Sequence, residues 1–133
     1  PVILTDPVSR STAAIHSGWK STEKKISAKT ARLLRDRFSA SYASMRAYIL
    51  PAISAAVYRV GDDFEKKFPG ATVRMDDGLH ADLPLAVYQS LVEEGIPAEN
   101  IVTSGICTVG SNNLFFSHRK GDRERNLNFA MIR

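Results

Sequence analysis

Six residues near the start of the chain, Ile15-His16-Ser17-Gly18-Trp19-Lys20, constrain its folding more than any other stretch. Ser11 to Ile15 is an apolar run, and after Trp19 the hydrophobic spacing becomes helical, so a histidine, a glycine and the only tryptophan fall where strand gives way to helix. A fold built on this pattern presents His16 at a strand end. A helix that starts near Lys20 leaves its first backbone N–H groups unpaired and carries a partial positive charge there, which favours an anion or a carbonyl-bearing ligand. Imidazole beside such a site can hold zinc or copper, or move a proton near neutral pH. The same residues also read as a half-buried strand histidine, a turn glycine and a core tryptophan, and spacing alone favours that plainer reading.

Taken in order, Val2 to Thr5 reads as a buried strand, Asp6-Pro7 as a turn, and Thr12 to His16 as the strand beside it. From Ser21 to Phe38 a helix is expected, with Ile26, Thr30, Leu33, Leu34 and Phe38 on its apolar face and the cations opposite. Met45 to Leu50 reads as a third strand ended by Pro51. The small residues of Pro51-Ala52-Ile53-Ser54-Ala55-Ala56 suit either close approach to a ligand or tight loop packing. Val57 to Val60 is a short strand, and a helix opens at Asp62 with Phe64 and Phe68 paired at i, i+4 until Pro69-Gly70 stops it. Ala71 to Met75 is strand-like. Asp82 is placed to cap a helix with Pro84 in its first turn, whose buried face is Leu83, Val87, Ser90, Leu91 and Glu94 and whose end is Gly95. Ile101 to Thr108 is the next strand, Ser111-Asn112-Asn113 a turn, and Leu127 to Ile132 a closing strand. The prediction is a mixed α/β fold, with strands in one or two sheets flanked by about three helices, in a single domain over residues 1–133.

The net charge of +4 is unevenly spread. Lys20, Lys24, Lys25, Lys29, Arg32, Arg35 and Arg37 crowd the first helix, and Arg119, Lys120, Arg123 and Arg125 the tail. A nucleic-acid partner is not expected, because no interleaved aromatics, zinc-finger spacing or RNA-binding aromatic motif accompany the cations; they read as a solvated face. The lone Cys107 argues against a disulfide framework, and no signal peptide or membrane-spanning run is visible, so a cytoplasmic location and no membrane partner are expected. Opening on Pro1, directly at a strand, the chain reads as a fragment or a processed product.

Several blocks resemble one family. Val2-Ile3-Leu4-Thr5-Asp6 followed by Ala13-Ala14-Ile15-His16-Ser17-Gly18-Trp19-Lys20 is similar to the "PVLLxD…AAxHAGWRG" pattern of the laccase-domain family. Further matches are Ile49 to Ile53, Tyr58-Arg59-Val60-Gly61, Asp82-Leu83, Gly95-Ile96-Pro97 with Ile101, Cys107-Thr108, and Phe115-Phe116-Ser117-His118-Arg119-Lys120. Proteins of that family, once described as multicopper polyphenol oxidases, are regarded as purine nucleoside phosphorylases with adenosine deaminase activity. The resemblance implies a laccase-domain-like fold whose N-terminal part is missing here. It also implies a zinc centre of two histidines and one cysteine, of which only His16 lies on this chain, as metal ligand and catalytic residue. The other histidine belongs to a region further N-terminal, and the cysteine to the position just before Pro1.

The reaction implied is phosphorolysis of adenosine, inosine or guanosine, with a purine nucleoside and phosphate as partners. Ser17, Lys20, Cys107, Ser117, His118 and Arg119 are the expected substrate-binding residues, and Lys20 or Arg119 the anion holders. His80 lies outside the matched blocks and reads as a surface residue. This chain departs from the family pattern at Ser17, Lys20, Leu50, Ser54, Val87, Tyr88 and Val109-Gly110, and lysine for arginine at Lys20 loses the planar fork that grips phosphate at two points. Two other readings stand beside the enzyme. One is a non-catalytic basic interaction module. The other is copper-dependent phenol oxidation, for which the chain lacks paired His-x-His motifs. Alone, the chain is expected to form oligomers or to need a companion N-terminal segment, and to be inactive.

Overall fold

The chain opens on an antiparallel hairpin, β1 (Val2–Asp6) and β2 (Ser11–Ile15), in a computed structural model that describes residues 1–131. Alternation along β1 turns Val2, Leu4 and Asp6 inward and leaves Ile3 and Thr5 on the opposite face. Asp6 holds the turn. Its buried carboxylate accepts the N–H groups of Val8 at 3.1 Å and Ser9 at 3.3 Å, and reaches across to that of Ser41 at 3.2 Å. Burial alone would raise its pKa, but the bonds from Ser44, Ser9, Val8 and Ser41 together hold it below the ordinary carboxylate value.

Beyond the hairpin come α1 (Trp19–Glu23), α2 (Ile26–Phe38), β3 (Arg46–Ile49), β4 (Arg59–Val60), α3 (Phe64–Lys67), β5 (Thr72–Met75), β6 (Gly78–Ala81), α4 (Leu83–Glu94) and β7 (Ile101–Thr103). The single helix expected from Ser21 to Phe38 is therefore two. They are broken at Lys25, which is left-handed at φ 54°, where its N–H bonds back to the Thr22 carbonyl at 2.8 Å. The buried face of α2 also differs from the expected one. Ser27, Ala28, Ala31 and Leu34 point inward, while Leu33 and Phe38 are 51% and 55% exposed. Alanines let α2 lie close to the sheet and to α4, and close approach outweighs the larger transfer energy of the bulkier side chains. Its cations are partly spent on carboxylates: Arg32 grips Glu94 at two points, 3.0 and 2.6 Å, Lys25 meets Glu93 at 2.7 Å, and Arg35 meets Asp36 at 2.7 Å.

Two sheets form. The first has the order β2-β1-β3-β7 and is mixed, since β3 runs parallel to β7 and the other pairs are antiparallel. The second, β4-β6-β5, is antiparallel throughout. Val2, Leu4, Ala47, Ile49 and Ile101 of the first sheet pack on Ala31 and Leu34 of α2 and on Val87 and Leu91 of α4 to make the main core. A satellite cluster of Phe68, Ala71 and Leu83 receives Trp19, Tyr58 and Phe64. The fold is α/β as expected, with four α-helices rather than about three, because the first divides.

The helix over Leu83–Glu94 matches its reading closely. Asp82 accepts the Leu85 N–H at 2.9 Å, Leu83, Val87, Ser90 and Leu91 are buried, and Gly95 closes the helix at φ 113°. The strand expected from Ile101 to Thr108 stops at Thr103, and only an isolated parallel bridge between Ala52 and Cys107 continues it. No strand forms over residues 127–131, and Ile132 of the expected closing strand lies outside the described residues. β6 was not anticipated, and His80 on it is buried, 3% exposed, rather than on the surface. Among the described residues no helix is long and apolar enough to cross a membrane.

Candidate functional site

The site lies where β2 hands the chain to α1. His16 follows the last residue of β2, is exposed, and turns back over Gly18: a Cβ built on Gly18 would stand 3.2 Å from His16 Nε2. Glycine is needed here for that approach and not for its dihedrals, since φ is −70°. Three concave regions meet at His16. The one with the most chemistry has a volume of about 550 Å³. Its apolar and aromatic walls are Trp19, Ile53, Tyr58, Leu83 and Phe116; Thr108, Ser117, His118 and Arg119 complete it. Size and character suit a small organic molecule.

Residues so far apart in sequence meet for traceable reasons. Beyond β3 and β7 the two segments stay paired: Ser104 N–H donates to the Ile49 carbonyl at 2.8 Å, Ala52 N–H to that of Ile106 at 3.2 Å, and Thr108 N–H to that of Ala52 at 3.0 Å. This ladder draws Thr108 to the cavity and starts the 109–120 segment above His16. Asp122 then folds that segment. Its carboxylate accepts the Ser117 N–H and the Asn112 side-chain amide, each at 2.7 Å, and the Ser117 bond foremost lowers its pKa. The result is a 3-10 turn over His118–Lys120. The Arg119 guanidinium lies 5.1 Å from the centre of the Tyr58 ring, an arrangement that fixes the cation's direction. Burial raises the Tyr58 pKa, and Arg119 partly offsets it.

Of the residues singled out in the sequence, His16, Ser117, His118 and Arg119 line this one cavity. Ser17 bonds its hydroxyl to that of Thr22 at 2.9 Å and lines a smaller apolar hollow with His16 and Leu83. Lys20 is exposed, with Nζ 5.4 Å from the Trp19 ring centre, and does not line the cavity. The helix it belongs to has only five residues, so the anion-binding dipole expected there is small. Cys107 sits beside the cavity wall, not in it. Burial pushes its thiol up, but bonds from the Ser54 side chain and from the Gly110, Ser54 and Val109 N–H groups bring it down to about 7. Trp19, Tyr58 and Phe116 carry most of the wall and were not assigned from sequence; the matched blocks containing them were the signal.

A family model described as Multi-copper polyphenol oxidoreductase laccase matches residues 1–133. The chain belongs to this family. Among curated relatives of this laccase-family chain, the purine nucleoside phosphorylase YlmD of Bacillus subtilis (strain 168) is 30% identical over 128 residues, covering 90% of this chain and 46% of that protein. The adenosine deaminase RL5 of an unknown prokaryotic organism is 31% identical over 129 residues, covering 90% and 49%. The solved structure of the Bacillus licheniformis hypothetical protein YfiH superposes with a TM-score of 0.83 at 33% identity over 90% of this chain and 48% of that one. YlmD from Geobacillus stearothermophilus superposes at 0.84 with 26% identity, with the same coverage. The chain spans about half the length of the curated relatives it matches.

The family's description names copper, and the resemblance named zinc. Among the described residues no three His, Cys, Asp or Glu side chains gather as a metal site. His16 and His118 are exposed and line one cavity with no third donor gathered beside them, and both ring nitrogens of His80 are engaged in hydrogen bonds. The described residues of this laccase-family chain therefore do not by themselves fit either ion.

Proposed function

We propose that the protein containing this chain is a purine nucleoside phosphorylase, and that the cavity between His16 and the 116–119 segment is its nucleoside and phosphate site. The observation that carries the reading is the convergence of two imidazoles, a guanidinium and three aromatic rings on one cavity of about 550 Å³. Relatives named purine nucleoside phosphorylase support it. In phosphorolysis a phosphate oxygen bonds to the ribose carbon that carries the base while the bond to the base breaks, and the departing purine takes a proton. Arg119 is the guanidinium suited to hold the phosphate, and its stacking on Tyr58 keeps the planar fork oriented. Trp19, Tyr58 and Phe116 offer surface for a flat base. His16 and His118 are the lining groups able to supply a proton near neutral pH.

Zinc enters this reading only as an occupant of His16 completed by donors outside the described residues. Adenosine deamination is included because RL5 carries that name. Self-association or a companion segment is part of the proposal as well, supported by the exposed apolar side chains Leu127, Phe129 and Met131. The test is product analysis on the full-length protein given adenosine or inosine with phosphate. Ribose 1-phosphate with free base is expected. Ammonia and inosine alone from adenosine would make it a deaminase, and no turnover of either nucleoside would leave the non-catalytic reading.

A further inference from the structure

Beneath the cavity wall, β6 carries a histidine that the mechanism above does not use. His80 is 3% exposed, yet its ring bridges two acceptors: Nδ1 lies 2.6 Å from the Ala55 carbonyl and Nε2 lies 3.0 Å from Asp77 Oδ1. Neither a carbonyl nor an ionised carboxylate can donate, so both ring nitrogens must. Only the imidazolium satisfies the two bonds together. The Ala55 carbonyl is no isolated loop oxygen. It also accepts the Tyr58 N–H at 3.3 Å, closing the 3-10 turn over Ala55–Val57, and the Tyr58 carbonyl in turn accepts the Ala81 N–H from β6 at 3.1 Å. β6 thus brackets the backbone of Tyr58 on both sides, and the Tyr58 ring carries Arg119 at the cavity.

We propose that His80 is a positioning residue for the cavity: its doubly protonated ring clamps the 55–58 turn to the β5–β6 turn at Asp77, and through Tyr58 it sets where Arg119 points. The charged groups around it are few. On β4 the residue paired with His80 is Arg59, whose guanidinium crosses Gly78; on β5 its pair is Val73, and the neighbouring Arg74 is engaged by Asp62 at 3.1 Å. On α3, Lys67 is bound to Asp63 at 2.5 Å, and Glu65 lies 3.9 Å from Arg74. The 55–57 turn presents only its backbone. Asp77 is therefore the carboxylate that decides the ring's second proton, with Asp76 beside it in the turn. When the ring loses a proton, Nε2 places a lone pair against that carboxylate and the Asp77 arm of the clamp opens. A singly protonated ring cannot make both bonds, so the clamp depends on the second proton.

Two measurements on the full-length protein test this, and only the second rests on the nucleoside reading. The first is NMR of the imidazole nitrogens of His80 and the amides of Tyr58 and Arg119 between about pH 5 and pH 8. A doubly protonated ring is expected wherever the clamp is closed, and any loss of its second proton should be followed by the Tyr58 and Arg119 amides. A ring singly protonated throughout, or amides that do not follow it, overturns the proposal. The second is the phosphate KM across that range in the native protein and in Asp77→Asn, whose amide can donate to a neutral ring. The native KM should rise with pH about tenfold more than that of the variant, kcat changing less. Equal pH dependence in both proteins overturns the clamp. Absence of nucleoside turnover with coupled NMR titration would sink the phosphorylase reading and leave the clamp standing.

Discussion

At the scale of single residues, Gly18 and His16 form a unit. The 3.2 Å between a Gly18 Cβ and His16 Nε2 means that Gly18→Ala must push the ring by a few tenths of an ångström. Because φ at Gly18 suits alanine, the thermal midpoint should barely move while nucleoside turnover falls by about tenfold; unchanged turnover would show that the ring's position is immaterial. Cys107 makes a second prediction. With its thiol at about 7, held down by Ser54 and three N–H groups against the effect of burial, alkylation by iodoacetamide should climb steeply from pH 6 to 8 in the folded protein and shift to the ordinary cysteine range in denaturant, about 8.5. Identical profiles in the two states would refute the thiolate cradle. His16 and Ser117–Arg119 were legible in the sequence because they sit in distinctive blocks. His80 was not, since the two oxygens that hold it come from a loop 25 residues away and from a turn whose register no local pattern specifies.

At the scale of elements, the α2–α4 contact shows what a charge pattern hides. The basic face of α2 reads as solvated in sequence, yet Arg32, Tyr42 and Glu94 form one network, with the Glu94 side chain only 9% exposed. The hydrogen bond from Arg32 foremost, opposed by burial and aided by Tyr42, lowers the Glu94 pKa. A carboxylate whose folded pKa lies below its unfolded value stabilises the fold above the ordinary carboxylate range, and the contribution is lost as pH falls through the folded value. Glu94→Gln should therefore lower the thermal midpoint at neutral pH and flatten its acid decline. An acid decline as steep as the native one would place the responsible group elsewhere, with Asp6 next in order. α4 was read correctly because its cap, its apolar spacing and Gly95 agree. On α2 Leu34 is buried as expected, but the sequence places Leu33 and Phe38 inward where the structure buries Ser27, Ala28 and Ala31, because apolar periodicity weights large side chains, whereas a close helix contact selects alanine.

At the scale of the whole molecule, the mixed sheet, its two helices and the smaller sheet bring the 15–19 junction and the 116–119 turn together across one cavity. That juxtaposition was legible only through the family resemblance: no spacing rule links residue 16 to residue 119, and the link is a ladder of loop hydrogen bonds extending β3 and β7. We propose that this cavity binds phosphate through Arg119 while its aromatic walls bind the nucleoside. The most direct measurement is the phosphate dependence of base release from inosine by the full-length protein and by Arg119→Ala. Release should require phosphate, and the variant's phosphate requirement should rise by about tenfold or more while its inosine requirement changes little. Base release indifferent to phosphate, or a variant in which both requirements rise equally, would contradict it.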